Sequence, residues 1–228
     1  MIKHKRLIAT VWDDGLTTDL QLLDILKQYH VRASFAFSPG VYAYKPTLND
    51  SRSEAYGYRL SKSDLLKFQD HDICNHTFSH EDITLLTGQQ ASDQIRNGRT
   101  DLQRLFRQEV YGFVYPYGEW NSQSQLYVYA AGHKYSRVTS QSRITGWSKD
   151  IASGRVLVPD SGWQQEIAPY LDNDFMLLSG HTYQMKSKED WQHVAAFYDF
   201  LTGLRDTRVV TMTELAIAMQ MKHKYEQL

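Results

Sequence analysis

The chain has 228 residues, 42% apolar and 22% charged, with a formal net charge of -1 and a pI near 6.8. That length suits a single domain over residues 1–228 with a substantial core, and the near-neutral charge leaves no electrostatic footprint for nucleic acid or an anionic membrane surface. The lone cysteine, Cys74, excludes an intrachain disulfide, and no segment approaches the roughly 20 apolar residues of a membrane span.

The start, Lys3-His4-Lys5-Arg6, reads as an exposed terminal charge run. The apolar stretch behind it is too short for a secretory h-region, so a cytoplasmic location is the expectation. Arg6–Trp12 reads as a buried strand that runs straight into Asp13-Asp14-Gly15. Thr17–His30 follows as a helix, with Leu20, Leu23 and Leu26 at helical spacing. Val31–Phe37 is the next strand, closed by Ser38-Pro39-Gly40.

Val41–Arg59 has no clear period and carries Tyr42, Tyr44, Tyr56 and Tyr58. A loop this long in a compact domain is often functional. Ser61–Asp70 reads as a short helix, with Ser61 as N-cap and Asp64 completing a capping-box-like start. His71–Cys74 is a short strand that delivers the cluster His76-Thr77-Phe78-Ser79-His80. Gly88–Gln108 is the longest helix, with Ile95, Leu102, Leu105 and Phe106 on one face. Then come a strand at Val110–Tyr115, a helix at Ser122–Ala131 and a strand at Lys134–Val138. Phe175–His181 is a strong strand, Lys188–Leu204 a helix, Arg208–Thr211 a strand and Met212–Met221 a closing helix.

Strands alternating with helices predict parallel β/α units, in sheet or barrel form. Both polar clusters fall where a strand ends, and in a barrel those ends converge on one rim. One carboxylate with two imidazoles four residues apart is a donor set for a divalent ion such as zinc. The adjacent carboxylate is then left as a base for a bound water. Neighbouring residues on a strand point opposite ways, so Asp13 and Asp14 serve one site only where the strand turns, and Gly15 gives the backbone that freedom. The competing structural reading makes Asp13 a cap on the following helix.

These motifs resemble, in order, those of the polysaccharide deacetylase family, the NodB-like or carbohydrate esterase family 4 group. Val11-Trp12-Asp13-Asp14-Gly15 resembles the family's T-F-D-D-G, and His76 to His80 matches H-[ST]-x-x-H. Tyr115-Pro116-Tyr117-Gly118 resembles its third motif, and His181 within Leu177-Leu178-Ser179-Gly180-His181 its fifth. The resemblance implies an α/β fold, a distorted, partly closed (β/α) barrel of about seven strands. It implies Asp14, His76 and His80 as metal ligands, with zinc expected and cobalt or manganese able to take the same donors. Asp13 becomes the general base and His181 the general acid, against the alternative of a histidine satisfied inside the core.

The backbone N–H of Tyr117 would help hold an oxyanion. Pro116, Tyr117, Trp120 and Leu178 would line the sugar and acetyl sites. Three departures stand out. The arginine that the third motif usually sets against the base is Val114 here, which leaves Arg137 or Arg155 to supply the charge. The fourth motif is not recognisable between Val138 and Trp163, where Asp150, Asp160, Trp147 and Trp163 are loose candidates. In the fifth motif Ser179 stands where an apolar residue is usual.

The activity implied is metal-dependent removal of acetyl groups from N-acetylated amino sugars in a polysaccharide or oligosaccharide. The alternatives are an O-acetyl carbohydrate esterase, a hydrolase of a small amide, and a catalytically silent carbohydrate-binding protein.

Overall fold

Strand β1 (Arg6–Asp13) is buried from Ile8 to its end, the pattern of a strand covered on both faces of a parallel sheet. In this computed structural model, which describes residues 6–42, 47–48, 57–138, 143–145, 152–155, 167–168 and 171–226, β1 lies between two parallel neighbours. β10 (Phe175–Gly180) runs along one edge. Along the other, β2 (Ser34–Phe37) takes the C-terminal half and β11 (Thr207–Val210) the N-terminal half. β5 (Asp72–Asn75), β6 (Gly112–Val114) and β7 (Tyr135–Val138) extend the parallel array from β2.

Among the described residues the sheet has nine strands: β8 (Arg143–Thr145), β7, β6, β5, β2, β1, β10 and β9 (Ala152–Arg155) in that order, with β11 beside β1. It curls. In a flat sheet β7 and β1, four strand spacings apart, would be separated by roughly 19 Å. Arg137 on β7 nevertheless touches Asp13 on β1. The α/β class and the partly closed barrel expected from the sequence are the architecture found.

Side-chain alternation along the strands divides the core into two layers. Ile8, Trp12, Phe35, Phe37, Met176 and Leu178 pack toward α1 (Asp19–Gln28), α3 (Gly88–Phe106) and α5 (Lys188–Gly203). Ala9, Val11, Ala36, Cys74, Val114, Tyr135 and Leu177 face α6 (Met212–Glu226). Trp12 Nε1 donates to the Tyr198 hydroxyl at 2.9 Å, which satisfies the indole inside the apolar layer.

The long periodic elements fall close to their predicted places, with shifts in detail. α1 buries Leu22, Ile25 and Leu26 rather than Leu20 and Leu23, which pack at its margin; its apolar stripe is wide, and the helix starts only at Asp19. Ser61 caps the short α2 (Lys62–Leu65) by accepting from the Asp64 N–H. The sequence missed the two-residue strands β3 (Thr47–Leu48) and β4 (Tyr58–Arg59), which form an antiparallel pair inside the region read as a loop. It also missed β8 (Arg143–Thr145) and β9 (Ala152–Arg155). Segments of two to four residues are too short to show a period. No helix among the described residues is long and apolar enough to cross a membrane.

Candidate metal centre

β1 ends in a turn made by Asp14 itself. Its φ is 81° and that of Gly15 is 66°. Asp13 keeps the strand geometry of the face that carries Ala9 and Val11, and the left-handed residue after it brings the second carboxyl to the same site. Helix α1 starts without Asp13: its buried first residue, Asp19, accepts from the Leu16 N–H at 3.0 Å. Two side chains hold the turn from outside. Arg59 Nη1 donates to the Asp14 carbonyl at 2.7 Å and the Tyr42 hydroxyl donates to it at 2.9 Å.

The two histidines follow the end of β5. His76 Nδ1 donates to the Val114 carbonyl at 2.7 Å, because a carbonyl can only accept. The proton is therefore on Nδ1, and Nε2 presents a lone pair to Asp14, as a ligating imidazole with an outer partner does. Burial first, and then the charge of His80, push the His76 pKa down to about 4, so the ring is neutral near pH 7. Gln94 of α3 braces the same turn by accepting from the Ser79 N–H and donating to the Ser79 hydroxyl. Four residues of the site, Asp14, Thr77, His80 and Tyr117, have positive φ; the other described non-glycine cases, His30, Arg107 and Asp206, lie at element ends. Such conformations persist where surrounding contacts over-determine them.

The donor atoms of Asp14, His76 and His80 lie within 4.8 Å of one another. Asp14 Oδ1 is 2.9 Å from His80 Nε2 and 3.8 Å from His76 Nε2. Two atoms bound to one zinc ion are roughly 3–4 Å apart. Asp14 Oδ1 is buried and accepts no aligned hydrogen bond, although the His80 nitrogen is close. Three donor atoms of these types converging on one point suit a shared cation. Burial opposes ionisation of Asp14, yet the contact with His80 and the charges of His80, His181 and His76 outweigh it and hold the carboxyl well below its usual range. The residues fit a divalent ion.

Asp13 is only 2% exposed, and Arg137 Nη2 donates to its Oδ2 at 2.5 Å. Arg137 stands in register with Val114 on the neighbouring strand, so the guanidinium comes from one strand beyond the expected position. Arg155, the other candidate, lies on β9 opposite Ser179. His181 follows β10 and is 31% exposed; its Nε2 is 3.8 Å from Asp13 Oδ2 and 3.9 Å from Asp14 Oδ2.

The remaining predicted residues separate. Tyr117 is 60% exposed, with its ring edge-on to His80 at 5.0 Å. Trp120 is exposed, while Pro116 is buried. Tyr115 is wholly buried against Phe113 and belongs to the core. Leu178 packs in the helix-facing layer with Trp12 and Met176, and the residue on the Asp13 face at that level is Ser179. Asp150, Asp160, Trp147, Trp163, Tyr44, Tyr56 and the basic start before Arg6 lie outside the described residues. The sequence reading missed Arg59, Tyr42 and Asp19. Asp19 lies close to the turn in sequence, whereas Tyr42 and Arg59 are 28 and 45 residues from Asp14 and meet it only in the fold.

The sequence profile of the family described as polysaccharide deacetylase matches residues 2–136. No curated protein sequence matches the chain. Among solved structures, a family 4 acetyl xylan esterase from Clostridium thermocellum, in complex with a cobalt ion, is 17% identical with TM-score 0.63, over 92% of this chain and 90% of that one. The peptidoglycan deacetylase PdaC from Bacillus subtilis is 17% identical with TM-score 0.62, over 99% and 96%. A family 4 pseudoenzyme from Bacillus anthracis is 14% identical with TM-score 0.59, over 93% and 66%. At these identities the likeness concerns the fold.

Proposed function

The chain belongs to the polysaccharide deacetylase family, and from that premise we propose that it is a metal-dependent hydrolase that removes acetyl groups from N-acetylated amino sugars. The observation that carries the reading is the convergence of Asp14, His76 and His80 beside an Asp13 held by Arg137. Zinc, cobalt or manganese on those three residues would supply Lewis-acid polarisation of the acetyl carbonyl and of a water.

The protein's own groups divide the proton work. Arg137 holds and aims Asp13, and Asp13 accepts the proton of the attacking water. The Tyr117 backbone N–H stands for the oxyanion as the tetrahedral carbon forms. His181, partly open to solvent, gives a proton to the departing nitrogen as the C–N bond breaks. Water and amide become acetate and free amine. Exposed Tyr117 and Trp120 offer faces for the apolar side of a sugar ring.

The test is acetate release from N-acetylglucosamine oligomers and, in parallel, from acetylated xylan. Chelation should abolish release and added zinc, cobalt or manganese should restore it. Release from xylan alone would shift the reading to an O-acetyl esterase. Sugar binding with no release from metal-replete protein would leave a silent binding protein.

A further inference from the structure

We propose that Arg59 and Tyr42 are positioning residues that hold the Asp13-Asp14-Gly15 turn in the form a divalent cation requires. The inference rests on the metal-centre reading above and extends it to side chains outside the family motifs. Asp14 at φ 81° occupies a region that is unfavourable for a non-glycine residue. Such a conformation needs external partners.

The partners are specific. Both side-chain donors converge on one acceptor, the Asp14 carbonyl, and one of them is a buried guanidinium, whose hydrogen bond is charge-assisted. Strand β4 and the residue after it then fasten the residues that follow Asp14. The Leu60 N–H donates to the Gly15 carbonyl at 2.9 Å, the Thr17 N–H donates to the Tyr58 carbonyl at 2.8 Å, and Leu16 bridges to Arg59. The Tyr42 hydroxyl fills the place of a side chain on Gly15: an added Cβ would lie 2.1 Å from it.

A rotation of the peptide after Asp14 would withdraw its carbonyl from both donors. Asp14 could then relax toward negative φ, and its carboxylate would leave His76 and His80. Asp13, still on β1 and tied to Arg137, would stay. Loss of the two donors therefore acts on cation binding, ahead of any effect on the sheet.

The experiment is a titration of metal-free protein with cobalt(II), read by its d–d absorption, alongside thermal unfolding of the metal-free form. Tyr42→Phe and Arg59→Gln should weaken cobalt affinity by roughly 10- to 100-fold, the range for lost outer partners of a ligand. Arg59→Lys should fall between wild type and Arg59→Gln. Tyr42→Phe keeps its ring, should melt close to wild type, and carries the test whether or not the arginine variants fold. Wild-type affinity and an unchanged spectrum in Tyr42→Phe would overturn the role given to these residues while leaving the metal centre intact. A wild type that binds no cobalt would overturn both.

Discussion

Arg137 reaches Asp13 from the strand beside the one on which the family's arginine usually stands. Val114 and Arg137 are register partners on β6 and β7, and their side chains share one face of the curled sheet. Val114 packs into the layer facing α6 and gives its carbonyl to His76, while Arg137 gives the charge to Asp13. One family position is thus shared between two adjacent residues of the sheet.

Arg137→Met should lower kcat by roughly 10²–10³-fold, within the range for loss of a general base. The change leaves a buried carboxylate without its counter-charge, which is strongly disfavoured. Cobalt affinity should change little, which separates this effect from loss of a ligand. Val114→Arg combined with Arg137→Val should recover part of the rate. Full activity of Arg137→Met would remove the arginine from the mechanism.

Gly98, a buried position of α3, packs against the turn that carries His76 and His80. A Cβ there would lie 2.3 Å from Asn75 Oδ1 and 2.9 Å from the Thr77 carbonyl carbon. The Thr77 contact is with backbone between His76 and His80, which cannot swing aside. Gly98→Ala should therefore weaken cobalt binding and lower the melting temperature together. A stabilised variant with wild-type affinity, as helix propensity alone would predict, would contradict this.

The pH dependence of stability has an acid limb from buried histidines. Burial, followed by the charge of Arg99, lowers the His133 pKa to about 3, and burial lowers that of His71 to about 4. Their folded values lie below the unfolded value of about 6.5, so the stability they contribute is present above that pH and lost as pH falls toward 4. His133 Nε2 accepts from Asn75 Nδ2 at 3.0 Å, a contact that a protonated ring would oppose. Between pH 6.5 and 5 this one group should cost about 2 kcal/mol. Chemical denaturation at the two pH values should show a flatter profile in His133→Gln.

Asp19 has the opposite slope. Burial raises its pKa to about 8, so its contribution is full below the unfolded value near 4 and is lost as pH rises toward 8. Its carboxyl accepts from the Leu16 N–H and from the Thr182 hydroxyl, joining the ligand turn to the residue after His181. An amide can accept from the first and donate to the second. Asp19→Asn should gain stability over wild type more at pH 8 than at pH 5, with activity retained. Asp19→Ala should lose activity as the two loops part.

The legible parts of this molecule are those whose signal is local. Long apolar runs gave β1, β10 and the main helices, and the i, i+4 histidines with the Asp-Asp-Gly gave the donor set. Arg137 could be narrowed only to one of two arginines, because the choice depends on which strands pair. Leu178 and Ser179 alternate in direction, and their faces are known only once β10 is anchored beside β1. Asp19 resembles any acid in the first turn of a helix. Arg59 and Tyr42 act through a carbonyl, which no residue pattern encodes.

The register of β6 against β7 gives α4 (Ser122–Ala130) a part in the chemistry that its composition does not reveal. The link between those strands runs through the Pro116–Gly118 turn and this helix, closed at its start by a reciprocal cap between Asn121 and Ser124. Slipping β7 by one residue would turn Arg137 to the opposite face of the sheet. The helix is in effect a spacer of fixed length, free to drift in most of its surface residues but intolerant of an insertion or deletion. A segment that touches neither side chain measures out the distance at which Asp13 meets Arg137.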